Sequence, residues 1–168
     1  MATEPPSEKK EKKKSSWESV EGFATFLGKW AWIILIIEGL IFIIWGIIGL
    51  SAGIAAASLA QQSGVGGLVA GDIAYYTFFY IWYLIGGIAT IVVAILLVRP
   101  RFSNKWAEKD YDYLLNDVIQ IGNIRIPTML IIGVIIEIFL QFWGGLVILI
   151  PLLLLIFIGP KEYKWKAQ

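Results

Sequence analysis

Two carboxylic acids stand where the surrounding sequence otherwise suits only hydrocarbon. Glu38 sits inside IILIIEGLIFIIWGII (33–48), and Glu137 inside IIGVIIEIFLQFWGG (131–145), with Gln141 four residues further on. A carboxylate at bilayer depth costs about 2.5–3.5 kcal/mol on insertion scales, so each acid has to be neutralised. Neither apolar stretch contains Lys, Arg or His. The choices are then a protonated carboxyl, a hydrogen bond to a polar neighbour, a bound cation, or a basic group from another subunit. Counted from Lys29 and Arg125, the acids lie about 14 Å and about 18 Å along their helices. At those depths they could meet and share a proton or jointly hold a cation. Glu38, Glu137 and Gln141 form the candidate intramembrane polar site. The plainer role for the same residues is polar glue between helices or subunits, at about 0.6–2 kcal/mol per contact.

Other chemistry is excluded by residue type. The chain has neither cysteine nor histidine, which removes disulfides, thiolate nucleophiles, imidazole bases and imidazole metal ligands. The glycine-rich stretch AQQSGVGGLVAGD (60–72) lacks the lysine and the GxxxxGK[ST] spacing of a phosphate-binding loop. No catalytic, cofactor-binding or metal site is expected, and no nucleic-acid partner. The expected activity is non-enzymatic.

The elements that would position the two acids are read from hydropathy. Of 168 residues, 58% are hydrophobic and 16% charged, well outside the soluble range of about 45–50% apolar and about 25% charged. The fold expected is an all-α integral membrane protein, a tetraspan bundle. Its spans cover 30–52, 73–98, 127–142 and 145–159 within a membrane domain at 29–160. The apolar block 126–158 is too long for one span and is divided at Trp143-Gly144-Gly145, where paired glycines permit a reversal. Pro100 and its flanking arginines should end the second span.

Charge sets the orientation. All fourteen Lys/Arg fall in the N-terminal segment, the 99–125 connection or the C-terminal segment. The positive-inside rule then puts both termini and the middle connection in the cytoplasm, with a prokaryotic plasma membrane as the expected location. Residues 1–28 read as a largely disordered basic tail, and 161–168 as a short cytoplasmic tail. Lys9, Lys10, Lys12, Lys13 and Lys14 are candidate contacts for anionic lipid headgroups, at about 1 kcal/mol per residue near the surface. Between the second and third spans, the spacing of Tyr111, Leu114, Leu115 and Val118 suggests an amphipathic helix over 104–121, capped by Asn104 and ended by Gly122.

Small residues mark where helices can approach. Gly46, Gly49 and Gly53 on the first span, Gly86 and Gly87 on the second, and Gly133 on the third are the candidate packing positions. Heavy isoleucine use and the compact format resemble small four-span proteins of prokaryotes, without a motif that assigns a family. The function expected is an oligomeric structural or accessory subunit of a membrane complex, partnered by the bilayer and by itself or another membrane chain. The alternative is a small proton- or cation-linked channel or transporter using the intramembrane glutamates.

Overall fold

The computed structural model describes the backbone of residues 6–140 and 143–166, with side chains from residue 16 onward apart from residue 140. Gln141 and the side chains of Lys9, Lys10, Lys12, Lys13 and Lys14 lie outside the described residues. The element order is α1 (Pro6–Gln62), α2 (Gly66–Val93), a π-helical segment (Ala94–Ser103), α3 (Asn104–Ala107), α4 (Tyr111–Asn116), β1 (Val118–Ile121), β2 (Ile124–Pro127), α5 (Thr128–Leu140) and α6 (Leu146–Phe157). The protein is mostly helical, and two of its helices are long and apolar enough to cross a membrane: Ser16–Gln62 and Gly66–Ala107. These two helices point to a membrane location. The chain divides into two units, one built from Met1–Ile34 with Ala94–Gln168 and the other from Leu35–Val93.

The Leu35–Val93 unit is an antiparallel helical hairpin. Its turn closes in three residues because Gly64 takes φ +75°, a conformation open to glycine at little cost. The amide of Val65 donates to the Ala60 carbonyl at 3.1 Å, and that of Gly64 to the Gln61 carbonyl at 3.2 Å. These are the two bonds of a Schellman cap, which satisfies carbonyls left over at the end of α1. The glycine-rich stretch at 60–72 is therefore largely helical. Glycines allow the two helices to meet: a Cβ on Gly39 would stand 2.7 Å from the Gly87 carbonyl oxygen, and one on Gly87 would stand 2.6 Å from that of Gly39.

In the other unit, α1 starts at Pro6, where a largely disordered segment was expected. Proline is favoured in the first turn of a helix, and the Lys/Glu string that follows is made of good helix formers. The buried residues Trp17, Ala24 and Ala31 give α1 a packed face in this region. The helical backbone also continues past residue 98. From Ala94 to Ser103 it widens into a π-helix that contains Pro100, a form able to absorb the ladder donor that proline lacks.

The 104–121 stretch is not one amphipathic helix. It breaks at Lys109, which has φ +54°, and restarts as α4 when the Asp110 side chain accepts from the Tyr113 amide at 3.1 Å. Asn104 does not serve as the cap, since Ser103 holds that position with no side-chain bond. Gly122 ends no helix either. With φ +60° it turns a β-hairpin in which Val118 pairs with Pro127 and Ile121 with Ile124. After the hairpin, α5 and α6 form a second helical pair around Gly133 and Gly145. At 13 and 12 residues they extend about 20 Å and about 18 Å, short of the roughly 30 Å hydrocarbon layer.

Candidate functional site

The two acids singled out by sequence fall in different units. Glu38, on α1, is buried in the Leu35–Val93 unit with 4% of its surface exposed. Glu137, on α5, is half-buried in the other unit, beside the α5–α6 turn. A Cβ added to Gly145 would come within 2.7 Å of the Glu137 Cβ, so the glutamate stem lies directly against the backbone of the turn. Its Oε2 is buried without a hydrogen-bond partner among the described residues.

The candidate packing glycines differ in how closely they are approached. A Cβ on Gly46 would stand 2.6 Å from Leu84 Cγ, and one on Gly49 would stand 2.1 Å from the Tyr80 ring. Gly87 faces backbone, as described above, and Gly86 is buried beside it. On α5, a Cβ on Gly133 would be 2.9 Å from Leu149 Cδ2. Gly53 is different, because a Cβ there would meet only Thr77 Oγ1 at 3.8 Å, an ordinary contact.

The densest polar chemistry is a charged platform that sequence spacing did not reveal. It joins α1 to the segment after the π-helix. Glu21 Oε1 accepts from Lys109 Nζ at 2.9 Å and from the Tyr111 hydroxyl at 2.9 Å. Burial pushes the Tyr111 hydroxyl up to about 12, with the neighbouring Glu21 carboxylate adding to the effect. Beneath this contact lies an aromatic cluster. Trp106 is fully buried, with Trp17 at 6.5 Å, Phe102 at 6.1 Å and Tyr111 at 5.6 Å between ring centroids. Gly28 makes room for the indole, since a Cβ there would stand 2.3 Å from Trp106 Cγ.

A second node ties the π-helix to the start of α5. Asp117 Oδ1 accepts from Arg101 Nη2 at 2.9 Å and from Thr128 Oγ1 at 3.2 Å, while the Asp117 carbonyl accepts from the Thr128 amide at 2.8 Å. The third node holds the C-terminal segment. Lys161 pairs with Asp112, the Trp165 carbonyl accepts from the Arg125 amide at 2.8 Å, and the Tyr163 hydroxyl donates to the Arg125 carbonyl at 2.9 Å. Burial also raises Tyr163 above the usual phenol range. Within this unit, residues from 21, 99–128 and 161–166 thus share one polar region. Arg99 lies over the Trp32 ring at 4.6 Å, a cation–π contact.

The partners in these nodes lie up to 90 residues apart, so no local pattern announces them. Chemically, the platform pairs acids with bases and satisfies backbone groups, which holds segments distant in sequence together within this unit. Among the described residues, no group of three or more His, Cys, Asp or Glu side chains could hold a metal ion. No family model matches this chain, and neither curated proteins nor solved structures offer a match.

Proposed function

We propose that this chain is a non-enzymatic multi-pass membrane protein acting as an oligomeric structural or accessory subunit of a membrane complex. In this reading it has four membrane helices. The two long ones cross the bilayer, and α5 and α6 form a hairpin whose two ends return to the cytoplasmic side with the termini. The observation that carries the reading is the mismatch of that hairpin. Helices of about 20 Å and about 18 Å fall short of the hydrocarbon layer, and they leave Ile138 66% exposed and Phe157 64% exposed. A short apolar element in a bilayer is accommodated by local thinning or by association with neighbours. Association also covers exposed apolar side chains. The test is the mass of the particle extracted into native nanodiscs. Dimers, higher oligomers or a stoichiometric membrane partner are expected, and a lone monomer in membrane thinned to its hairpin would refute the proposal.

A second reading rests on the burial of Glu38 within an apolar helix. Intramembrane acids of this kind serve ion and proton pathways, so the same chain would act as a small proton- or cation-linked channel or transporter. Proteoliposome flux with Glu38→Gln and Glu137→Gln separates the two. Flux abolished by either substitution supports transport, and absence of flux in the wild type removes it.

A further inference from the structure

The hairpin at 118–127 presents one face made entirely of isoleucine. Strand side chains alternate between faces, and the pairing of Ile119 with Ile126 and Ile121 with Ile124 puts all four on the same side. Val118, Gln120, Arg125 and Pro127 take the other. The isoleucine face is largely uncovered, with Ile119 43%, Ile121 61% and Ile124 54% exposed. A two-stranded hairpin is marginal in water by itself, and an apolar patch of this kind marks a partner or a membrane.

Three observations select the membrane. The strand β2 runs directly into α5 with no polar linker between Pro127 and Thr128, so the hairpin begins where an apolar helix begins. The C-terminal segment lies alongside β2 through the Ile124–Lys166 bridge, which places Lys166 at the edge of the isoleucine face. Residues 118–127 and 163–166 carry Arg125, Lys164 and Lys166 and no acid, with Asp117 and Glu162 flanking them, and the same segment brings Trp165, its ring tilted against Phe157 at 6.4 Å between centroids. Exposed isoleucines, basic side chains and an indole gathered in one region match the composition of a headgroup boundary.

We propose that the 118–127 hairpin is an interfacial anchor whose isoleucine face enters the headgroup–acyl boundary of an anionic leaflet, with Arg125, Lys164 and Lys166 reaching lipid phosphates. The proposal rests on the membrane location read from α1 and α2. The cysteine-free chain allows a direct test with single spin labels in phosphatidylcholine–phosphatidylglycerol vesicles. Labels are attached at Ile121→Cys on the isoleucine face, Gln120→Cys on the opposite face and Ile88→Cys on the exposed side of α2. Collisions with oxygen should dominate over those with a water-soluble nickel chelate at 121 and 88, and the order should reverse at 120.

Omitting phosphatidylglycerol should make position 121 more accessible to nickel, and an unchanged value would overturn the role of the basic residues. Nickel access at 121 equal to that at 120 would overturn the anchor. So would shielding from both reagents with spin–spin broadening that unlabelled chain relieves, because a second copy would then occupy the face. Nickel access at 88 would instead defeat the membrane reading itself.

Discussion

Replacing Gly87 with alanine should loosen the helical hairpin of residues 35–93, and the size of the effect follows from the contact. The added carbon would stand 2.6 Å from the Gly39 carbonyl oxygen, about 0.8 Å inside ordinary contact at 3.4 Å, and 3.0 Å from Ile43 Cγ1. The obstacle is backbone, so no side-chain rotation relieves it and the helices must separate locally. A gap of about 0.5–1 Å forfeits a quarter to a half of each dispersion contact along the seam, and overpacking of this kind costs about 1–3 kcal/mol. Alanine returns about 0.5–1 kcal/mol through its better helix propensity, which leaves a net loss of about 0–2.5 kcal/mol. Gly71→Ala is the internal control, because a Cβ there would meet no atom within 4 Å and only the propensity gain remains. Reversible unfolding in mixed micelles, followed by far-UV circular dichroism, measures both. Equal stability of Gly87→Ala and Gly71→Ala would refute the reasoning, since it would mean the helices do not meet at this glycine pair.

Further outcomes follow from the other contacts. Gly53→Ala should leave stability unchanged or slightly raised in the same assay, because its nearest neighbour is already at 3.8 Å. Gly28→Ala should displace the buried Trp106 indole, with a loss of about 1–3 kcal/mol and a red shift in tryptophan emission. A double-mutant cycle of Arg101→Gln and Asp117→Asn should give a coupling of about 0.5–1 kcal/mol, because Arg101 is 43% exposed while Asp117 is 10% exposed. The Tyr111 hydroxyl, pushed up to about 12, holds its proton more tightly folded than unfolded. Its contribution is complete below the unfolded phenol value of about 10 and is lost as pH rises toward 12. Alkaline unfolding should therefore lose part of its steepness in Tyr111→Phe, as read by circular dichroism between those pH values.

Much of the helical content was legible because hydropathy is a windowed property that tolerates local error. The apolar run around 30–52 falls inside α1, the run around 73–98 covers most of α2 and the first residues of the π-helical segment, and the reversal expected at 143–145 lies between α5 and α6. Local detail was harder. Tyr111, Leu114, Leu115 and Val118 have helical spacing, but that spacing cannot show that Lys109 adopts a left-handed backbone or that the pattern changes period at Val118. A signal for the hairpin was present in VIQIGNIRIP, where β-branched residues alternate about a Gly-Asn pair, the composition of a tight two-residue turn. It was outweighed by the preceding helical pattern. The charged platform was illegible for a different reason. Glu21 with Tyr111, Arg101 with Asp117, and Asp112 with Lys161 are pairings created by the fold, and composition around any one partner says nothing about the other.

The π-helical segment carries a consequence for how this chain tolerates change in length. An α-helical residue turns the backbone by about 100° and a π-helical residue by somewhat less, so excising one residue between Ala94 and Ser103 would re-aim everything downstream by roughly a quarter of a circle. Hydropathy would scarcely alter, yet the Trp106 indole would point away from the notch at Gly28. In this stretch the count of residues matters more than their identity, and an indel there would be far more damaging than a conservative exchange.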